Sequence, residues 1–224
     1  MILLAVDTSG RRGSVGLIQA ETTGQCTLLE EASLAGGVFS AQLLPEIAGT
    51  LNTRDIRKEQ LEAFVAVSGP GSFTGLRVGL AAIKALAAVL EKPIAAVSLL
   101  EAISVASGLE GSVIALMDAG RGELYAGKYE VSNSSALKLW EQLWTREQLL
   151  QGVENSTLIA TDMILAESLR AHGLDVLLVG PPSIEAVAQL GWKKILSGGA
   201  VSVEELDASY IRRAVPEMSA GVTR

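Results

Sequence analysis

The sequence predicts an α/β protein made of two halves that repeat one order of strands and helices. An apolar run at residues 2–6 ends at Asp7, and a second run at residues 113–117 ends at Asp118. Each Asp is followed by a turn with an Arg-Gly pair and then by further strand-like segments. The shared order is stronger evidence than the matched dipeptides, because hairpins after an Asp are common. We therefore predict a duplicated, two-lobed α/β fold with the order βββαβα in each lobe.

The first half begins with a three-stranded meander closed by glycine-containing turns. Leu43, Leu44, Ile47 and Leu51 then recur at helical spacing, which predicts a helix. We predict strands at residues 2–6, 14–20, 26–32, 63–67 and 94–97, and helices at residues 38–51, 76–91 and 99–107.

The second half repeats this order. Its predicted strands are residues 113–117, 123–131, 136–143, 158–161 and 176–179, and its predicted helices are residues 146–150 and 163–172. The predicted lobe boundary gives an N-terminal lobe of residues 1–98 and a C-terminal lobe of residues 99–224. If the lobes face each other, Asp7 and Asp118 project from corresponding strand ends into the cleft between them, where ligands usually bind.

Composition excludes several classes of protein. Of 224 residues, 49% are hydrophobic, and there is one Cys (Cys26) and one His (His172). A single Cys excludes an internal disulfide framework, and one Cys with one His cannot build a structural zinc site. A net charge of −7 gives no overall positive field for a nucleic acid backbone. The first residues lack a basic signal-peptide region, so we expect a cytoplasmic protein without a membrane span.

The most informative segment is a glycine loop at residues 68–79. It begins Ser68-Gly69-Pro70-Gly71-Ser72-Phe73-Thr74-Gly75 and lies between an apolar strand and a helix. Free N–H groups at such a place can hold an anion. The loop is not a Walker A loop, because no Lys follows Gly75. It is not a dinucleotide-binding fingerprint either, because Thr74 stands at the position of the third glycine. The alternative is a tight turn in which Ser72 or Thr74 caps the helix. The sequence leaves both open.

The helix after this loop is apolar on nearly every side. Between residues 76 and 90 only Arg77 and Lys84 are charged, so the helix must be covered almost all round. It is too short and too charged for a good transmembrane span. Gly71, Gly75 and Gly79 recur at every fourth residue, a spacing that lets another backbone approach closely. The apolar surface of this helix is buried either by its own lobe or by a partner chain.

With the apolar helix at residues 38–51, this helix can present a face for a partner. The predicted partner-facing residues are Val38, Leu43, Leu44, Ile47, Leu76, Gly79, Leu80, Ile83 and Leu86. On this hypothesis Gly79→Arg abolishes pairing while the chain still folds.

These segments together resemble the TsaB (YeaZ) family. The resemblance rests on Val6-Asp7-Thr8-Ser9, on the glycine loop through Gly79, on Asp118-Ala119-Gly120-Arg121-Gly122-Glu123-Leu124-Tyr125 and on Ser209-Tyr210-Ile211-Arg212-Arg213. It covers nearly the whole chain in order, and it implies an actin-like fold of the ASKHA, ribonuclease H-like type. Many family members have a His where this chain has Phe39, so any role of that imidazole is absent.

The resemblance implies a role in making N6-threonylcarbamoyladenosine (t6A) in tRNAs that read ANN codons. In that pathway a TsaC-type enzyme makes threonylcarbamoyl-AMP from threonine, bicarbonate and ATP, and TsaD transfers the group to adenosine. TsaB is a paralogue of the TsaD/Kae-type proteins and the partner of TsaD, and the ATPase TsaE joins them. TsaD holds a metal through a His-x-x-x-His pair, which TsaB lacks.

The resemblance therefore implies a non-catalytic subunit that carries no cofactor of its own. ATP, threonylcarbamoyl-AMP and metal are expected on partner proteins, and tRNA only through the complex. We expect a heterodimer with a TsaD-type paralogue, and a homodimer when the chain is alone.

Two enzymatic alternatives stay open. An actin-fold ATP-binding phosphotransferase or ATPase would use paired carboxylates for Mg²⁺ or a water, although an Asp that caps the turn after its strand is the favoured hypothesis. A glycoprotease-like peptidase lacks a His-based centre, because His172 precedes a Gly at a predicted helix end. Cys26 is predicted to be a buried, inert thiol. Candidate nucleotide-binding or cleft residues are Asp7, Thr8, Ser9, Gly69, Gly71, Ser72, Thr74, Gly75, Asp118, Arg121 and Glu123.

Overall fold

The computed structural model describes residues 1–153, 155–209 and 211. Tyr210, Arg212 and Arg213 of the family-like ending lie outside the described residues. Within the described part the chain forms two five-stranded sheets with helices on their faces.

The first half holds five strands and three helices. Its strands are β1 (Ile2–Asp7), β2 (Arg12–Ala20), β3 (Cys26–Ala35), β4 (Leu61–Gly69) and β5 (Ile94–Ser98). Its helices are α1 (Phe39–Thr53), α2 (Phe73–Leu90) and α3 (Leu99–Ala106), with a short 3-10 turn at Lys58–Gln60 before β4.

The second half has the same order of elements. Its strands are β6 (Gly111–Gly120), β7 (Glu123–Ser132), β8 (Ser135–Thr145), β9 (Thr157–Ala160) and β10 (Val176–Leu178). Its helices are α4 (Arg146–Gly152), α5 (Met163–Arg170) and α6 (Ile184–Leu196).

The two sheets have equivalent topologies. The first sheet is ordered β3-β2-β1-β4-β5, and the second, read in the same direction, is ordered β8-β7-β6-β9-β10. In the first sheet β1 pairs antiparallel with β2 and parallel with β4, and in the second sheet β6 pairs in the same way with β7 and β9. The predicted duplication and the two-lobed α/β fold are confirmed. Both halves continue beyond βββαβα with the strands predicted at residues 94–97 and 176–179 and then with a helix, of which α3 was predicted and α6 was not.

The glycine loop is where the observed helix differs from the predicted one. α2 begins at Phe73, three residues before the predicted start, because the Ser72 hydroxyl accepts a hydrogen bond from the Gly75 N–H at 3.2 Å. This is an N-cap in the usual geometry, and it confirms that Ser72 caps the helix.

The end of the described chain departs from the predicted lobe boundary. α6, which was not predicted from the sequence, packs against all five strands of the first sheet. Beyond it, the Val201 N–H donates to the Ile94 carbonyl at 2.9 Å, and the Ser209 N–H donates to the Ser68 carbonyl at 2.7 Å. Part of the segment assigned to the C-terminal lobe therefore covers the N-terminal lobe.

One apolar core joins the two lobes. It contains Val65 and Val97 from the first sheet, Val113 and Ile159 from the second, and Leu100 from α3 between them. A second core lies between the first sheet and the helices α1 and α2, and a third lies under α4 and α5. Because one core is shared, the cleft described below lies between lobes that are packed on one another.

Candidate functional site

A cleft of about 730 Å³ opens between the lobes at the carboxyl ends of β1 and β6. From the first lobe it is lined by the turn after β1, the segment before α1 and the glycine loop; from the second it is lined by the end of β6 and by Tyr125 of β7. Its volume is within the range typical of small-molecule sites. Its lining residues are Ser9, Gly10, Arg11, Gly36, Gly37, Phe39, Ser40, Gly71, Ser72, Thr74, Gly75, Val78, Met117, Asp118, Ala119 and Tyr125.

Asp7 stabilises the turn that forms one wall of this cleft. One carboxylate oxygen accepts from the Ser9 N–H at 2.8 Å and from the Ser9 hydroxyl at 2.6 Å. Burial raises the pKa of the Asp7 carboxyl, while the two bonds from Ser9 lower it in part. Asp7 does not line the cleft; it lies behind Ser9, which does. The geometry is that of a capping Asp.

The turn after β1 and the glycine loop approach each other at backbone distance. A Cβ atom on Gly71 would lie 2.4 Å from the Ser9 carbonyl oxygen, and one on Gly75 would lie 2.2 Å from the Thr8 carbonyl oxygen. The Ser72 N–H donates to the Ser9 carbonyl at 2.7 Å. Glycine is required here because any side chain would separate the two segments.

This packing uses hydrogen-bonding groups that a phosphate would need. The Ser72 N–H bonds to Ser9, the Gly75 N–H bonds to the Ser72 hydroxyl, and the Leu76 N–H bonds to the Ser72 carbonyl. Arg11 is the single cation among the described residues that line the cleft, and no Lys is present among them. The observed loop therefore fits a capped, tightly packed turn better than a nucleotide phosphate cradle.

Of the predicted site residues in the second lobe, one lines the cleft and two do not. Asp118 lines the cleft and accepts from the Gly120 N–H at 2.9 Å, so it too caps a turn. Arg121, at a φ of 59°, and Glu123 belong to the tip of the β6–β7 hairpin and do not line the cleft. Thr8 and Gly69 are buried beneath it.

Several lining residues were not predicted from the sequence. Phe39 is nearly buried, with its ring 3.1 Å from the Cβ position of Gly13 and 3.2 Å from that of Gly75. Gly36, Gly37 and Tyr125 complete the walls. The Gly36-Gly37 pair before a predicted helix was the available signal, since such a pair marks a turn with a close backbone approach.

The chain cannot supply the His pair through which TsaD is expected to hold its metal. His172 is its only His, and its Nδ1 lies 2.7 Å from the Ser168 carbonyl at the end of α5. Gly173 follows with a φ of 85°, so the predicted position of His172 at a helix end is confirmed. Within the described ranges, no three His, Cys, Asp or Glu side chains are placed to hold a metal ion.

Cys26 is half-buried at the first residue of β3. Burial and the nearby Glu185 carboxylate raise the pKa of its thiol from 9.0 to about 11, against a smaller opposite effect of Lys193. A thiol that is protonated at neutral pH is a poor nucleophile. The predicted burial of Cys26 is met only in part, since the residue is half-buried, and its low reactivity stays a prediction.

A second candidate site is the outer surface of α1 and α2. Among the described residues α2 is the one helix long and apolar enough to pass for a membrane span by length and composition, with a mean hydropathy of 1.7. It packs on the first sheet through Leu76, Leu80 and Ile83, yet only a third of the helix is buried. Between α1 and α2 runs a groove of about 600 Å³.

The predicted partner-facing residues fall on two sides of these helices. Ile47, Leu76, Gly79, Leu80 and Ile83 are buried in the N-terminal lobe itself, so they cannot meet a partner without unfolding it, and Leu43 is buried at the floor of the groove. Val38 and Leu44 are exposed, and Leu86 is partly exposed. The groove, which we call the α1–α2 surface, is lined by Ser40, Leu43, Leu44, Lys58, Val78, Ala81, Ala82, Ala85, Leu86, Val89 and Leu90.

The fold and the cleft define an actin-like protein of two lobes. A family model described as TsaD, tRNA N6-adenosine threonylcarbamoyltransferase, matches residues 33–206. The chain therefore belongs to the TsaD family, within its TsaB (YeaZ) group.

Curated relatives are similar over different lengths. The tRNA threonylcarbamoyladenosine biosynthesis protein TsaB of Bacillus subtilis is 34% identical over 135 residues, which cover 59% of this chain and 57% of that protein. The protein of the same name from Escherichia coli is 26% identical over 230 residues, which cover 96% of each chain.

Solved structures show the same fold. YeaZ from Pseudomonas aeruginosa superposes with a TM-score of 0.75 at 24% identity, covering 92% of this chain and 99% of that one. An uncharacterized protein with similarity to peptidase YEAZ, from the same organism, gives a TM-score of 0.78 at 23% identity, covering 94% and 99%.

Proposed function

We propose that this chain is a non-catalytic subunit required for t6A modification of ANN-decoding tRNAs, and that it pairs with a TsaD-type transferase through the α1–α2 surface. The names of its TsaB relatives support the pathway. In this proposal the chain acts in the cytoplasm, a TsaE-type ATPase joins the pair, and tRNA is bound by the complex rather than by this chain.

The exposure of α2 carries the proposal. Only a third of this 18-residue helix, whose mean hydropathy is 1.7, is buried in the isolated chain. Val89 is 76% exposed on α2 and Leu44 is 57% exposed on α1, on either side of the groove. Exposed apolar surface that is contiguous marks an interaction site more often than scattered residues do.

The shape of the α1–α2 surface favours a helical partner. Ala81 and Ala85 are exposed one turn apart on α2, and Ala88 follows on the same side. Small side chains in a row let a second helix pack closely against the first. A paralogue with the same fold has equivalent helices, so the surface suits both a heterodimer and, in its absence, a homodimer.

The cleft supports a non-catalytic role. Asp7 and Asp118 each accept hydrogen bonds from the turn that follows them, and the hydroxyl of Ser72 caps α2. No base is positioned beside a nucleophile among these groups, because the imidazole of His172 is bonded at the end of α5. This arrangement also disfavours a peptidase.

Co-purification tests the proposal. The tagged chain is expressed in its own cells, captured, and the captured proteins are identified by mass spectrometry, with Val89→Arg as the matched variant. We expect a TsaD-type paralogue with the native chain and its loss with Val89→Arg. Capture of the paralogue in equal amount by both would refute the surface, and its absence from both would refute the partnership.

A further inference from the structure

A cluster of polar side chains, largely buried except for one partly exposed lysine, lies where the two lobes join. We call Ser98, Glu101, Tyr129, Glu141 and Lys194 the interlobe polar cluster. Ser98 ends β5 and precedes α3, so it belongs to the segment that connects the first sheet to the second half. Tyr129 and Glu141 project from the neighbouring strands β7 and β8 of the second sheet. The cluster therefore connects the linker to the second lobe through side chains.

Glu141 is the acceptor at the centre of this cluster. Its Oε1 accepts a hydrogen bond from the Ser98 hydroxyl at 2.5 Å and another from the Tyr129 hydroxyl. Its side chain is 7% exposed, and the Lys138 ammonium lies 3.7 Å from its second oxygen. Loss of a donor from a carboxylate buried to this extent is costly, because little water can reach it to take the donor's place.

Tyr129 is the second hydroxyl donor to Glu141. It is fully buried, and its desolvation together with the Glu141 and Glu101 carboxylates raises the pKa of its phenol. The Ser98 hydroxyl lies 3.4 Å from the phenol oxygen, so the three groups are in mutual contact.

An ion pair between Lys194 and Glu101 lies beside the hydrogen bonds to Glu141. The Lys194 ammonium of α6 lies 2.6 Å from the Glu101 carboxylate of α3 and donates to the Ala96 carbonyl of β5 at 3.2 Å. Glu101 has an 11% exposed side chain. Since α6 packs on the first sheet, this pair fixes α3, the helix between the lobes, to the first lobe.

We infer that the interlobe polar cluster holds the two lobes in one fixed orientation, so that the cleft keeps a constant width and Glu141 is the positioning residue. The shared apolar core surrounds the cluster but is not directional, whereas hydrogen bonds to one carboxylate oxygen specify a single arrangement. Lobes that close on a ligand need a second packing of their junction, and here any such movement would break the hydrogen bonds of Ser98 and Tyr129 to Glu141. The inference does not depend on the proposed function.

Spin-label distance measurements between the lobes test it. Cysteines replace Glu59 after α1 and Glu167 on α5, both exposed, in a Cys26→Ser background. Labelled protein is diluted with unlabelled protein so that any dimer carries labels on one chain. We expect a single narrow distance distribution for the parent and for Glu130→Ala, which removes an exposed glutamate of β7.

Glu141→Ala is expected to broaden the distribution or add a second distance, while Glu141→Gln, which keeps an acceptor oxygen, stays close to the parent. If Glu141→Ala does not fold, Ser98→Ala is the deciding variant, because it removes a single hydroxyl from the junction. A broad distribution in the parent would overturn the inference. So would a folded Glu141→Ala or Ser98→Ala protein with the distribution of the parent.

Discussion

A Cβ atom on Gly79 would lie 2.3 Å from the hydroxyl oxygen of Thr8. α2 thus crosses the turn after β1 at a distance that only glycine permits. Gly79→Arg, expected from the sequence to break pairing alone, would instead disrupt the lobe. We predict that even Gly79→Ala lowers the free energy of unfolding by about 1–3 kcal/mol, because Thr8 must move.

Urea denaturation at fixed protein concentration measures this effect. Gly49→Ala is the matched control, since a Cβ there meets nothing within 4 Å and Gly49 lies inside α1. The control should be neutral or stabilising by up to ~1 kcal/mol through helix propensity. Equal midpoints for Gly79→Ala and the native chain would contradict the packing described.

The α1–α2 surface makes a second prediction. Val89→Arg would place a charge on the proposed apolar contact, so it should abolish the proposed homodimer and the proposed complex with a TsaD-type paralogue. Because Val89 is 76% exposed, the fold should stay intact. Size-exclusion chromatography with light scattering measures both. Ile164→Arg on α5, where the side chain is 80% exposed, is the control and should pair normally. A dimer formed by Val89→Arg as tightly as by the native chain would exclude this surface.

Substitutions at Asp7 distinguish a turn-capping role of its carboxylate from a metal-binding role. Asp7→Asn keeps an oxygen that can accept from Ser9, whereas Asp7→Ala leaves the Ser9 N–H without its acceptor. We therefore predict that Asp7→Ala costs about 1–3 kcal/mol of stability and Asp7→Asn clearly less. We also predict that Asp7 does not hold Mg·ATP, so calorimetry should show the same Mg·ATP binding, or the same lack of it, for the native chain and for both variants. Tight Mg·ATP binding by the native chain, lost in both variants, would favour the ATPase alternative instead.

Cys26 gives a pH-dependent prediction. With its pKa raised from 9.0 to about 11, the folded protein retains the thiol proton where the unfolded chain has lost it. The folded state binds more protons between these values, so stability falls as pH rises through this interval. Alkylation at Cys26 should be slow at pH 7 and should still be accelerating at pH 10. A rate that levels off near pH 8.5 would show an ordinary, exposed thiol.

The sequence predicted the repeated frame of the fold because strand ends and turns are local signals. Asp7 and Asp118 mark equivalent strand ends, and the turns after them hold the residues needed for a positive φ or a close approach. α6 was not predicted, although Ile184, Val187 and Ala188 have helical spacing. α6 packs on the sheet of the other lobe, and the periodicity of a helix does not show which sheet it packs on.

The same limit explains the partner-facing residues. Leu80 and Val89 are both apolar residues of α2, yet Leu80 is 5% exposed and Val89 is 76% exposed. A helix that is apolar all round has no polar face to indicate its inner side, so the sequence could not divide its residues between core and surface. In the cleft, Phe39 and Tyr125 come from segments distant in sequence, and only the packed lobes bring them together.

The amount of t6A in tRNA tests the central claim most directly. Cells depleted of this protein are complemented with the native chain, Val89→Arg or Ile164→Arg, and modified adenosine is quantified by mass spectrometry of digested tRNA. We predict loss of t6A on depletion, recovery with the native chain and Ile164→Arg, and no recovery with Val89→Arg. Normal t6A after depletion, or full recovery with Val89→Arg, would contradict the account.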